Sequence, residues 1–307
     1  MRFSRAGQPN RPAPSLACYG KLPCYSDFLQ VGIDSPVGRW MVESLDAAHD
    51  EMTASGTAPD PRRELRIILR PASDRATPLA ALLRPSGDAR GRRYPVIVAA
   101  QLSAAEWVDE PHLAPLCAAP LWSSLARHVI ENPGRSRDEL LQRLQSLPDQ
   151  PDDLTFARQR FTRLVEVART DPWGQLVGGL AASADDAAGG RKAVVVLTAP
   201  RAGLAAQVDP AELAAVWLRL WSAASPGEPW EAMVEVWQRD APVWSMWALL
   251  QHLPSGAELA ALLSRPAAEL AAVLAASGAA RQAIEARIGA GAVGCLADLW
   301  APSAAPE

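Results

Sequence analysis

Residues 64 to 70, ELRIILR, place Leu65, Ile67 and Leu69 on one side of an extended chain and Glu64, Arg66 and Arg70 on the other. A period of two is what a β-strand with one face on the core and one in solvent requires, and only Ile68 breaks it. LAALLRP at 79–85 reads as a second strand, SGDARG at 86–91 as a polar turn, and RYPVIVAAQL at 93–102 as a third strand. Together they predict an antiparallel run.

Upstream, SLACYG at 15–20 reads as a first strand running into the GKLP turn, where Pro23 cannot donate to a ladder and so marks the strand's end. Asp34 or Ser35 can cap a helix with Pro36 in its first turn, and Val37, Trp40, Met41, Leu45, Ala48 and Met52 then share one face until Gly56 ends it. Downstream, Ser136 with Glu139 forms a capping-box pattern, and residues 153–169 keep the helical period. AVVVLTAP at 193–200 is a continuous apolar run and the best candidate for a central strand covered on both faces. Asp209, Pro210 and Glu212 open a helix that carries Trp217 and Trp221 on one stripe, PVWSMWALLQ at 242–251 reads as a buried strand, and Ser255 with Glu258 caps a further helix. Pro266 begins one more helix, which Gly278 closes. The succession predicts a mixed α/β fold, a largely antiparallel sheet flanked by helices in a sandwich of the profilin or longin kind. Residues 1–15 read as a flexible tail, 16–264 as the α/β domain and 265–307 as an Ala-rich helical extension.

Composition narrows the function classes. Thirty Lys and Arg against 34 Asp and Glu give a net charge of −4, which argues against a chain that holds nucleic acid by neutralising many phosphates. Four scattered cysteines, Cys18, Cys24, Cys117 and Cys295, suit a reducing cytoplasm better than a disulfide scaffold. The N-terminus lacks the apolar middle of a secretory signal, and no apolar stretch is long enough for a membrane span, so the chain reads as soluble and not as an integral membrane protein.

Chemistry-bearing motifs fail on their surroundings. Lys21 follows Gly20, but Leu22 and Pro23 take the place of the hydroxyl and amide that a phosphate loop needs. Cys18 and Cys24 are too far apart for a C-x-x-C, and the four histidines are scattered, so no metal or cofactor is expected. Gly289, Gly291 and Gly294 spell a dinucleotide fingerprint that follows a helix instead of a strand. Six of the eleven tryptophans fall between Trp217 and Trp247; they read as core, with an interface role for one or two as the alternative.

GKLPCYSDFLQVG at 20–32 resembles the opening signature of the TagF (ImpM) family of type VI secretion system accessory proteins, matched by Gly20, Lys21, Leu22, Pro23, Asp27 and Phe28. GRRYPVIVAA at 91–100 is similar to the family's second island through Gly91, Arg92, Tyr94 and Pro95. The resemblance covers residues 16–105 and extends more loosely to 264. Ser26 stands in place of the family's glycine, and Gln30–Val31 in place of its basic pair. The resemblance implies a cytoplasmic, non-enzymatic regulator that represses assembly of the secretion system after translation. It also implies a link to that system's forkhead-associated (FHA) scaffold and its Ser/Thr kinase and phosphatase.

On this reading the GKLPCYSDFLQVG stretch is a shaped turn. Asp27 accepts backbone N–H groups to start a short helical turn, Phe28 plugs the core and Lys21 faces outward. The rivals are an enzyme with an acid–base pair assembled from Asp27 and Tyr25, Tyr94 or a histidine, a structural subunit of the secretion apparatus, and an adaptor for a small GTPase.

Overall fold

A computed structural model describes residues 16–70, 78–102, 110–131, 133–134, 136–145, 154–168, 193–200, 209–224, 230–238, 244–250 and 252–265. The expected tail at 1–15, the helix from Pro266 and the dinucleotide-like glycines lie outside them. The strands are β1 (Leu16–Gly20), β2 (Leu29–Val31), β3 (Arg63–Leu69), β4 (Leu79–Arg84), β5 (Val96–Gln101), β6 (Ala193–Pro200), β7 (Ala232–Gln238) and β8 (Trp244–Leu250). They form one antiparallel sheet in the order β2-β1-β5-β4-β3-β7-β8-β6. The helices are α1 (Pro36–Ala54), α2 (Ala114–Leu125), α3 (Arg137–Gln145), α4 (Leu154–Ala168), α5 (Pro210–Ala224) and α6 (Gly256–Ser264).

The sheet has a core on each side. Tyr19, Leu65, Ile67, Leu69, Ile97 and Ala99 point to α1 and α6, while Cys18, Ile68, Val96, Val98 and Ala100 point to α2, α4 and α5. Alternation is therefore kept along β1, β3 and β5, but neither face meets water, and Ile68 belongs to the second core. This corrects the expectation that one face of β3 lies in solvent. The cover comes from α2, APLCAAPLWSSL, whose apolar residues run all round the helix and past Pro120, so no helical stripe announces it. Its Trp122 is buried and lies 5.9 Å from the Arg66 guanidinium, which also sits 4.3 Å from the Trp237 ring.

The polar residues of β3 are thus paired instead of solvated. Glu64 accepts a hydrogen bond from Arg66 Nε at 2.9 Å and a short one from Arg84; Arg84 in turn reaches Glu131 at 3.2 Å, and Arg66 lies 3.8 Å from Glu235. Burying so many charges is tolerable only because each is matched.

Caps fall where the residue types place them. Ser35 Oγ accepts from Gly38 N at 2.9 Å, and Ser255 and Glu258 form a complete capping box. Gly256, the first residue of α6, approaches α1 so closely that a Cβ there would lie 2.4 Å from Ala47 Cβ. Arg63 Nη1 donates to the carbonyls of Leu262 and Arg265, both at 2.8 Å, satisfying acceptors that the end of α6 leaves open.

AVVVLTAP is a strand, as expected, but it lies at the edge of the sheet, paired with β8, and is not central. An apolar run reports the faces of a strand and carries no information on its edges. PVWSMWALLQ contains β8, in agreement with the strand reading. Trp122, Trp230 and Trp247 are core residues, whereas the side chains of Trp217 and Trp221 lie outside the described residues.

Candidate functional site

Antiparallel pairing of β1 with β5 sets Gly20 opposite Val96, so the two sequence islands meet at one corner although about 70 residues separate them. Gly20 has φ +127°, and a Cβ on it would lie 2.2 Å from Pro95 O. Only glycine combines that backbone angle with that approach. Beyond it, Tyr25 N donates to Leu22 O at 3.0 Å, closing a turn with Pro23 in its second position, the place its fixed φ favours. Leu22 is fully buried and anchors the turn.

The facing loop between β4 and β5 is organised by Asp88. Its carboxylate accepts from the backbone N–H of Arg90 at 2.9 Å and of Arg92 at 3.0 Å, from Arg92 Nε at 2.6 Å, and lies 3.4 Å from Lys21 Nζ. Gly91 N donates to Asp88 O at 2.9 Å and closes the turn. Short acidic side chains stabilise such turns by bonding the amides that follow them. Burial pushes the Asp88 carboxyl up, but the Arg92 amide and guanidinium, the Arg90 amide and Lys21 outweigh it and hold the pKa at about 2. The loops are tied together by Ala89 N to Tyr25 O at 2.8 Å and by Arg92 Nη2 to Ser26 O at 2.7 Å.

Three of the expected orientations are overturned here. Lys21 does not face outward: it is 7% exposed, held between Asp88 and the Phe28 ring, whose centroid is 4.8 Å from Nζ. Phe28 does not plug the core; it is 37% exposed and caps an aromatic cluster, 5.7 Å from Tyr19 and 4.7 Å from Tyr94 between centroids. The physical reason is that the buried ammonium needs a carboxylate and a π-face, and Phe28 supplies the face. Asp27 starts no helical turn: its Oδ1 accepts from Phe28 N at 2.8 Å, and the chain passes directly into β2.

The cluster's inner wall comes from α1. Tyr19 Oη donates to Asp46 Oδ1 at 2.9 Å, Tyr94 Oη donates to the same oxygen through a short bond, and the His49 ring lies 4.7 Å from that of Tyr94. Burial, reinforced by Asp46, raises Tyr19 to about 12 and Tyr94 further still, so both phenols are donors at neutral pH. Burial also raises the Cys24 thiol, which keeps the thiolate scarce. Tyr25 Oη donates elsewhere, to the carbonyls of Pro133 and Ser136. Asp27, Tyr25 and Tyr94 thus have separate hydrogen-bond partners. Among the described residues no group of three or more His, Cys, Asp or Glu could hold a metal ion.

The ten residues matched in the two islands, Gly20, Lys21, Leu22, Pro23, Asp27, Phe28, Gly91, Arg92, Tyr94 and Pro95, therefore belong to one locked corner. Sequence reasoning missed Asp88, Asp46, Tyr19 and His49. A signal existed for Asp88, an aspartate at the start of a Gly-containing turn. Asp46 and His49 share a helix face and carried no other cue.

This corner lies within a recognisable class of protein: residues 17–147 match a domain described as the TagF N-terminal domain, Type VI secretion system-associated. Those residues carry a TagF-type N-terminal domain. No curated protein matches the chain. Among solved structures it is similar to the crystal structure of PA0076 from Pseudomonas aeruginosa PAO1, at 18% identity and a TM-score of 0.37, covering 81% of this chain and 94% of that one.

Proposed function

We propose that the chain is a post-translational regulator of type VI secretion that works by protein–protein contact and not by catalysis, repressing assembly in the cytoplasm through the FHA scaffold. This reading links the chain to that system's Ser/Thr kinase and phosphatase as well. What supports this reading is that both islands of the TagF signature go into one rigid exterior corner crowned by a partly exposed aromatic ring. A surface held this firmly binds without an ordering cost. No described helix is long and apolar enough to cross a membrane.

The test joins a pull-down with a secretion assay. The purified chain captures the FHA protein of the same system, and deletion of its gene raises secretion. Failure of the capture together with loss of secretion on deletion sinks the regulator reading, and stoichiometric copurification with assembled baseplate or sheath replaces it with a structural subunit.

A further inference from the structure

The corner has an outer rim to which the TagF signature contributes only Arg92. Arg90, Arg92 and Arg93 are exposed within four residues of the β4–β5 loop. The Arg92 guanidinium is committed to Asp88 and Ser26 O, and Lys21 is likewise committed to Asp88. The guanidinium groups of Arg90 and Arg93 have no partner among the described residues. Next to this rim sits Phe28, one of two exposed large apolar side chains among those residues. Arg92 Nη2 donates to Ser26 O and Ala89 N to Tyr25 O, which hold the arginine-bearing loop against the turn that leads into Phe28.

We propose that Phe28 and the Arg90–Arg93 loop form a docking surface for an acidic protein segment bearing one apolar side chain, the apolar group on Phe28 and the carboxylates on Arg90 and Arg93. The proposal rests on the reading of the chain as a binding module and adds the chemistry of the partner.

Charge complementarity carries it. The whole chain is negative at −4, so a positive rim here is a local feature that attracts an acidic partner to this corner. Guanidinium groups match carboxylates in geometry as well as sign. Exposed aromatic and arginine side chains in a well-packed setting are the residue types that anchor interfaces. Asp27, exposed beside Phe28, offsets part of the charge and repels carboxylates from that end, which fixes how the segment lies. The loop is preorganised by the four Asp88 contacts, so binding need not order it.

The experiment uses the full chain and a fluorescein-labelled Glu-Glu-Glu-Leu-Glu-Glu-Glu peptide, read by anisotropy at low and high sodium chloride. The wild type binds, and salt weakens binding. Arg90→Glu with Arg93→Glu lowers affinity by about tenfold or more while the melting temperature holds, because both side chains are exposed. Phe28→Ala lowers it separately. No binding by the wild type, unchanged affinity in the charge-reversed variant, or equal binding of the Gln-for-Glu peptide overturns the proposal. So does tighter binding to duplex DNA or to phosphatidylglycerol vesicles.

The two readings fail differently. If the FHA protein is captured equally by wild type and charge-reversed variant, the regulator stands and this surface falls. If the peptide binds as expected while the FHA protein is never captured, the surface stands and the named partner falls.

Discussion

Replacing Gly20 with alanine tests how the whole corner is built. Two costs add. The backbone angle of +127° is poorly open to an L-residue, a strain of roughly 1–3 kcal/mol. The new Cβ would also meet Pro95 O at 2.2 Å and Val96 Cα at 2.7 Å, both backbone atoms of the facing segment at the start of β5 that no rotamer change can move aside. Relieving such overpacking by shifting strands costs roughly 1–3 kcal/mol. The expected loss is therefore about 4 kcal/mol, a large share of the roughly 5–15 kcal/mol that hold an ordinary domain. Urea unfolding followed by circular dichroism reads it as a lowered midpoint at unchanged slope. Binding should fall as well, because β1 leads directly into Lys21. A midpoint indistinguishable from wild type would refute the reasoning that the two islands meet through this glycine.

Acid titration examines Asp88. Its folded pKa of about 2 lies below the ordinary carboxylate value near 4, so its contribution to stability is complete above about pH 4 and fades as pH falls toward 2. The melting-temperature gap between wild type and Asp88→Asn should shrink across that window; an equal gap at both ends contradicts the assignment. Gly256→Ala opposes two effects. Alanine is the better helix former by about 1 kcal/mol, yet its Cβ would meet that of Ala47 at 2.4 Å, at a cost of roughly 1–3 kcal/mol. Net destabilisation is expected in the same urea assay, and a stabilised variant would show that α6 does not rest on α1 as described.

What the sequence made legible follows from which forces are local. The Ser35, Asp209 and Ser255 caps and the period of two in β3 and β5 are set by near neighbours, and the structure keeps them. The second cover over β3 was invisible because α2 is apolar all round and carries Pro120, giving no stripe to count. The edge placement of β6 depends on which strands β8 can reach, a matter of tertiary pairing. At the site, the two islands could be recognised as patterns, but the inward turn of Lys21 could not be foreseen. It depends on Asp88, which lies 67 positions away and is brought close only by the β1–β5 register.

The pairing of β3 with β7 has a consequence during synthesis. Leu69 bonds opposite Ala232, so about 160 residues must leave the ribosome before that side of β3 acquires its neighbour. At roughly 5–20 residues per second, translation leaves the nascent TagF-type half with one raw sheet margin for about 10–30 s. Arg63, Glu64 and Arg66 lie along that margin, and charge of this kind is a known guard against chance strand association. The ionic array inside the finished molecule thus doubles as protection for the unfinished one.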